Sequence, residues 1–223
     1  MLTREMIQTG AYLNSFKDLP QQPRWSRQRI EASMHETLAQ RPPAQPVWLF
    51  AYGSLIWNPL FKYAEMQPSV LHGWHRSFCI RLHDGRGSVD APGRMLALKA
   101  GGETNGVAFR LAEDGLVDEL WLAWVREMVH GLYCPVWAEA VLADGRTTQV
   151  LTFVADTTHQ VYESDSSVAT TVKAICKASG HLGSNRDYVL QLEACLADHD
   201  IQDAYVTELA AAVRTQSIGV TCS

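Results

Sequence analysis

Residues 47–57 read Val47-Trp48-Leu49-Phe50-Ala51-Tyr52-Gly53-Ser54-Leu55-Ile56-Trp57. The first six form a short aromatic and β-branched run, the pattern of a strand. Gly53 and Ser54 end it, and apolar residues resume at once. A glycine at that point permits φ > 0 and lets a ligand approach the backbone closely. Successive free N–H groups in such a turn form a nest that suits a carboxylate. A plain turn after a strand fits the same letters.

Working outward, further strands are expected at Trp74–Leu82, Arg94–Lys99, Gly106–Leu111, Val136–Leu142 and Thr147–Val154. Turn signals stand at Pro92-Gly93, Gly101-Gly102 and Asp144-Gly145, the last a hairpin signature. One helix, from about Asp114 to Met128, interrupts the strands. The class is α+β, and many short strands around one inserted helix suggest a small, closed or nearly closed mixed sheet. After Val154 the chain turns helical. Ser167 opens a helix that Gly180 ends. Ser184 with Asp187 resembles a capping box for a helix to about Leu196. A last amphipathic helix carries Ile201, Tyr205, Val206, Leu209 and Val213.

Residues 1–46 form an N-terminal helical extension, and 47–223 a single domain. Within the extension Ser26 caps a helix from Arg27 to about Gln40, which Pro42 and Pro43 stop. Its stripe of Ile30, Met34 and Leu38 is narrow, which predicts a helix lying on a surface.

Of the 223 residues, 47% are apolar and 19% charged, a balance that can bury a core. A net charge of -5 and a pI near 5.9 lack the basic footprint of a nucleic-acid binder. No apolar run approaches the roughly 18 residues of a membrane span, and Glu5 with no following apolar stretch argues against a secretory signal. The five cysteines (Cys79, Cys134, Cys176, Cys195 and Cys222) are odd in number and contain no CxxC pair. Reduced thiols in the cytoplasm are expected.

Glu127 stands apart among the carboxylates. On a wheel turning about 100° per residue from Leu116, Leu120 falls at about 40°, Trp124 at about 80° and Glu127 at about 20°. Its neighbour Arg126 falls at about 280° and is expected to point away. A carboxylate inside an apolar arc is disfavoured in its charged form, so its pKa rises and it can act as a general base near neutral pH. A buried glutamate satisfied by backbone or a tyrosine is the structural alternative. His130 and Tyr133 follow closely. His72, His75 and His83 have no metal-ligand spacing, and Gly85-Arg86-Gly87 reads as a turn.

With these residues in view, Phe50–Leu55 followed by Ile56-Trp57-Asn58-Pro59 resembles the FGYGSLIWxP motif of ChaC-type γ-glutamylcyclotransferases. Gly73-Trp74-His75-Arg76-Ser77-Phe78 is similar to that family's GYxRxF segment, and Pro92-Gly93-Arg94 to its PGR turn. Val125-Arg126-Glu127-Met128 resembles its V/R-R-E segment, and Gly131-Leu132-Tyr133 its GGY. The likeness runs from about Val47 to at least Tyr188. Ala51 and Leu132 depart from the pattern, each in place of a glycine.

The resemblance implies a small mixed β-barrel flanked by α-helices. It implies that Phe50, Ala51, Tyr52, Gly53, Ser54 and Leu55 bind the glutamyl moiety, with Tyr133 a candidate oxyanion donor, and that Glu127 is the catalytic base. No cofactor or metal is implied. The implied reaction releases 5-oxoproline and cysteinylglycine from glutathione. Alternatives are a cyclotransferase for other γ-glutamyl amines, or a non-catalytic γ-glutamyl-binding regulator of a transport protein. A Cys-dependent amidase is a third, with no protease signature around Cys79 or Cys134 to support it.

Overall fold

Strand β1 (Trp48–Ala51) is buried at all four positions. It lies antiparallel to β3 (Gly93–Arg110), with Trp48 opposite Arg110 and Ala51 opposite Val107. On its other side it runs parallel to β5 (Thr147–Ala155), with Trp48 opposite Val150. A strand paired on both edges and covered on both faces has no solvent side, which is why its sequence is continuously apolar instead of alternating. Strand β2 (Glu65–Leu82) pairs antiparallel with β4 (Tyr133–Leu142), Leu71 opposite Ala140. The order β1-β3-β2-β4-β5 closes into a mixed barrel, as the sequence predicts. The hairpin at Asp144-Gly145 joins β4 to β5, with Gly145 at φ 86 and its N–H bonded to the Leu142 carbonyl.

The computed structural model describes residues 2–15 and 24–218; Cys222 lies outside them. The chain divides into two compact units, Met1–Gly73 with Asn105–Val154, and Trp74–Thr104 with Ala155–Ser223.

The first unit holds β1 and β4, together with helix α4 (Leu116–Met128) and the N-terminal helices α1 (Arg4–Gln8), α2 (Ala11–Asn14) and α3 (Arg27–Ala39). Trp124 of α4 meets Phe153 of β5 edge-on, ring centroids 5.1 Å apart. Ser26 caps α3 by accepting from the Arg29 N–H. Helix α3 lies on a surface as its narrow stripe predicts: Ile30, Met34 and Thr37 are buried, Leu38 is half-buried and most of its other residues are exposed. The stripe is narrow, but its polar neighbours are partnered: Ser33 Oγ accepts from Trp124 Nε1 at 2.8 Å, and the Thr37 carbonyl from Trp137 Nε1 at 2.9 Å.

The second unit gathers α5 (Val168–Lys177), α6 (Asn185–Asp198) and α7 (Ala204–Ile218). Helix α5 stops at Lys177, and Ser179–Gly180 (β6) instead pair with Gly183–Ser184 (β7). Ser184 accepts from the Asp187 N–H, as the capping signature requires. Buried Asn185 accepts from Arg94 N–H and donates to the Arg94 carbonyl. A side-chain carbon at Gly93 would sit 2.6 Å from the Asn185 Oδ1, which explains the glycine of the PGR turn.

Two strands are longer than expected. The segments Arg94–Lys99 and Gly106–Leu111 fuse into β3, because Gly101 and Gly102 take positive φ (101 and 72) within the strand instead of ending it. Strand β2 begins at Glu65 and includes Pro68, a residue that argues against a strand; its carbonyl still accepts from the Ala143 N–H.

Gly106 faces β1 at close quarters. A side-chain carbon there would lie 2.5 Å from both the Ala51 carbonyl oxygen and the Phe50 ring. Gly106→Ala should therefore lower stability by about 1–3 kcal/mol through overpacking. Thermal unfolding checks this, and an unchanged midpoint would contradict the contact.

Candidate active site

The turn that leaves β1 is tightly made. The Ile56 N–H donates to the Gly53 carbonyl (2.9 Å) and the Asn58 N–H to the Ser54 carbonyl (3.0 Å). Both bonds use carbonyls of the turn. The N–H groups of Gly53, Ser54 and Leu55 make no hydrogen bond to a described residue. Three successive amides are thus available to an anion. Tyr52 anchors the turn from below, its hydroxyl donating to the Phe153 carbonyl at 2.7 Å. Phe50 and Ala51 are fully buried in β1, Leu55 is buried, and Ser54 is half-buried.

Helix α4 delivers the charged groups. Gly115 precedes it in the left-handed region at φ 74, and Asp118 and Glu119 in the first turn suit the positive end of the helix dipole. Arg126 Nη2 donates to Ser54 Oγ and Nη1 to the Asn58 carbonyl, each at 2.5 Å. Its Nε lies 3.4 Å from Glu127 Oε1. The two side chains are only 12% and 15% exposed. Burial pushes the Glu127 carboxyl above the usual carboxylate range, and the Arg126 guanidinium opposes that rise without cancelling it. Ser54, Arg126 and Glu127 therefore form one connected cluster. Tyr133 opens β4 and is buried, following Gly131 at φ 63.

Arg126 is the residue that the helical wheel misplaces. Its direction looks away only if the apolar arc is drawn from Leu116, Leu120 and Trp124. Leu122, Ala123 and Val125 are buried as well. They stand on other sides of the wheel, at about 240°, about 340° and about 180° from Leu116. The helix is therefore covered on most sides, and Arg126 meets protein. An arginine beside a buried glutamate was the available signal, since a half-buried carboxylate seeks a counter-charge.

This cluster can bind an anion on the turn and hold or release a proton at Glu127. Among the described residues, no three or more His, Cys, Asp or Glu side chains gather as a metal site needs.

A family model described as ChaC-like protein matches residues 47–216. A glutathione-specific γ-glutamylcyclotransferase of Escherichia coli (strain K12) is 44% identical over 96% of this chain and 93% of its own length. At that coverage the match reaches into the segment before Val47. γ-Glutamylcyclotransferase 2-3 of Arabidopsis thaliana is 33% identical over 75% of this chain and 88% of its own. A yeast γ-glutamylcyclotransferase specific to glutathione has the same fold, at a TM-score of 0.69 and 22% identity, covering 76% of this chain and 96% of that one.

The raised pKa of Glu127 has a signed consequence for stability. Above the ordinary glutamate value of about 4.3, the folded chain holds a proton that the unfolded chain has lost. Stability contributed by this group is thus complete at low pH and declines as pH climbs through the raised value. Glu127→Gln mimics the protonated form. It should unfold at the wild-type temperature at acid pH and at a higher one at pH 8. Melting curves across that range check this, and a variant destabilised equally at every pH would contradict it.

Proposed function

This chain belongs to the ChaC-like protein family, and we infer that it is a glutathione-specific γ-glutamylcyclotransferase. The observation that carries the reading is the juxtaposition of the turn amides, Arg126 and Glu127. A γ-glutamyl group has an α-carboxylate and an α-ammonium on one carbon. The amides of Gly53, Ser54 and Leu55, with the guanidinium behind them, suit the carboxylate. Glu127 suits the ammonium. Binding both fixes the rotamer of the glutamyl chain.

The reaction is intramolecular. The ammonium passes a proton to Glu127, and the free amine attacks the γ-carbonyl carbon of the same residue. The C–N bond to cysteine breaks as the five-membered lactam closes. Glu127 passes that proton to the departing nitrogen. The attacking nitrogen sheds its second proton as it becomes the lactam N–H, and the freed cysteinylglycine amine takes that proton up as its ammonium. Two protons thus leave the α-nitrogen and two reach the leaving group. Because substrate carries its own nucleophile, the protein mainly supplies geometry and a base whose burial raises its pKa above that of an ordinary carboxylate. Donors to the developing oxyanion lower the barrier further, and Tyr133, buried close in sequence to Glu127, is the candidate for that role.

Cytoplasmic location is part of the same reading. No described helix is long and apolar enough to cross a membrane. Cys79, Cys134, Cys176 and Cys195 form no disulfide, the state kept in a reducing compartment, where glutathione is in its thiol form.

Two variants test the roles separately. Glu127→Gln should lower kcat on reduced glutathione by about 10²–10⁴-fold, the usual contribution of a general base, while KM changes little. Arg126→Ala should chiefly raise KM. Both products are measured together by mass spectrometry, and near-normal turnover by Glu127→Gln would remove the base assignment.

A further inference from the structure

We propose that the segment preceding the barrel is a positioning element of the catalytic cluster, acting through an ion pair between Arg4 and Glu119. The inference rests on the reading of Glu127 as the base. Two parts of the cluster must be held in register, the turn after β1 and the helix α4. Helix α4 meets the stretch after the turn at both of its ends, through Arg126 and through Glu119. The N-terminal segment braces this arrangement at three places.

Arg4 of α1 makes a fork to Glu119 in the first turn of α4, Nη1 to Oε2 at 2.6 Å and Nη2 to Oε1 at 2.7 Å. Glu119 Oε2 also accepts the Lys62 N–H at 2.7 Å. Four residues earlier, Asn58 Nδ2 donates to the Leu2 carbonyl at 3.3 Å, while the Asn58 carbonyl accepts from Arg126. The stretch 58–62 is thus tied to Arg126 at one end and to the Arg4–Glu119 pair at the other. Along α4 the second grip is Ser33 of α3 on the indole of Trp124. The third is Trp25, whose N–H donates to the Val129 carbonyl at 3.0 Å, two residues past Glu127. Its indole packs where Gly131 has no side chain; a carbon there would lie 2.3 Å from Trp25 Nε1.

The energetics favour positioning over stability. Arg4 and Glu119 side chains are 31% and 14% exposed, and pairs reached by water contribute little to folding. A bidentate fork still fixes direction, because the planar guanidinium meets the carboxylate in one geometry. Catalysis is sensitive to such direction, since a displacement of about 1 Å can lower a rate by about 100-fold.

The test compares wild type, Arg4→Ala and Arg4→Lys on glutathione, and follows amide hydrogen exchange in peptides covering 52–62 and 120–131. Arg4→Ala should lower kcat by about 10-fold, a fraction of what a full misplacement causes. KM should stay close to wild type, the unfolding midpoint within a few degrees, and exchange should quicken in both peptides. Arg4→Lys, which keeps the charge, should recover much of the rate. Wild-type kcat in Arg4→Ala, or a change confined to KM or to the unfolding midpoint, overturns the inference. Should wild type release no 5-oxoproline, the functional reading fails by itself. Exchange then decides this one, quickened exchange in both peptides supporting it and unchanged exchange overturning it.

Discussion

The guanidinium of Arg126 is the interaction on which the site depends. It reaches from the last turn of α4 to the side chain and backbone of the loop after β1, and touches the carboxylate of its own neighbour. Remove it and two things come apart together: the loop loses its tie to the helix, and Glu127 loses the charge that tempers its burial. Burial alone pushes a carboxylate toward its protonated form. A fully compensated one would be too weak a base to matter. At Glu127 burial is the larger influence and Arg126 the smaller, so the carboxyl stays above the ordinary carboxylate range.

The barrel makes that balance reproducible. Strand β1 is locked on one side to β3 and on the other to β5, and Tyr52 bonds to β5 just beyond its end. The loop therefore departs from a rigid support, which catalytic geometry requires. Helix α4 rests on the same strand β5 through Trp124 and Phe153. The loop and the helix that carries Glu127 are thus referred to a common strand, and the N-terminal helices grip α4 from outside.

Much of this was legible in the letters because local signals and burial agree. The strand before Gly53, the caps at Ser26 and Ser184 and the Asp144-Gly145 hairpin are short-range features that fold as they read. Glu127 was legible because an acidic residue on an apolar arc is uncommon. Arg126 was not, since a wheel records direction from the helix axis and not what surrounds the helix. The length of β3 was hidden for a similar reason. A Gly-Gly pair signals a turn, yet neighbouring strands can hold both glycines at positive φ within a ladder. Nothing in Arg4-Glu5-Met6-Ile7-Gln8 announces a partner more than a hundred residues away.

A reaction whose nucleophile belongs to the substrate asks little chemistry of the protein and much placement. That fits the plain inventory of the site, one carboxylate, one guanidinium and a row of backbone amides. It also explains why the fold devotes so many contacts to holding a loop and a helix. Amides in a turn are positioned only as well as the backbone that carries them. The ties at Tyr52, Asn58 and Lys62 surround the three available N–H groups without occupying them. The backbone is held by its carbonyls and flanking residues, and the N–H groups of Gly53, Ser54 and Leu55 make no hydrogen bond to a described residue.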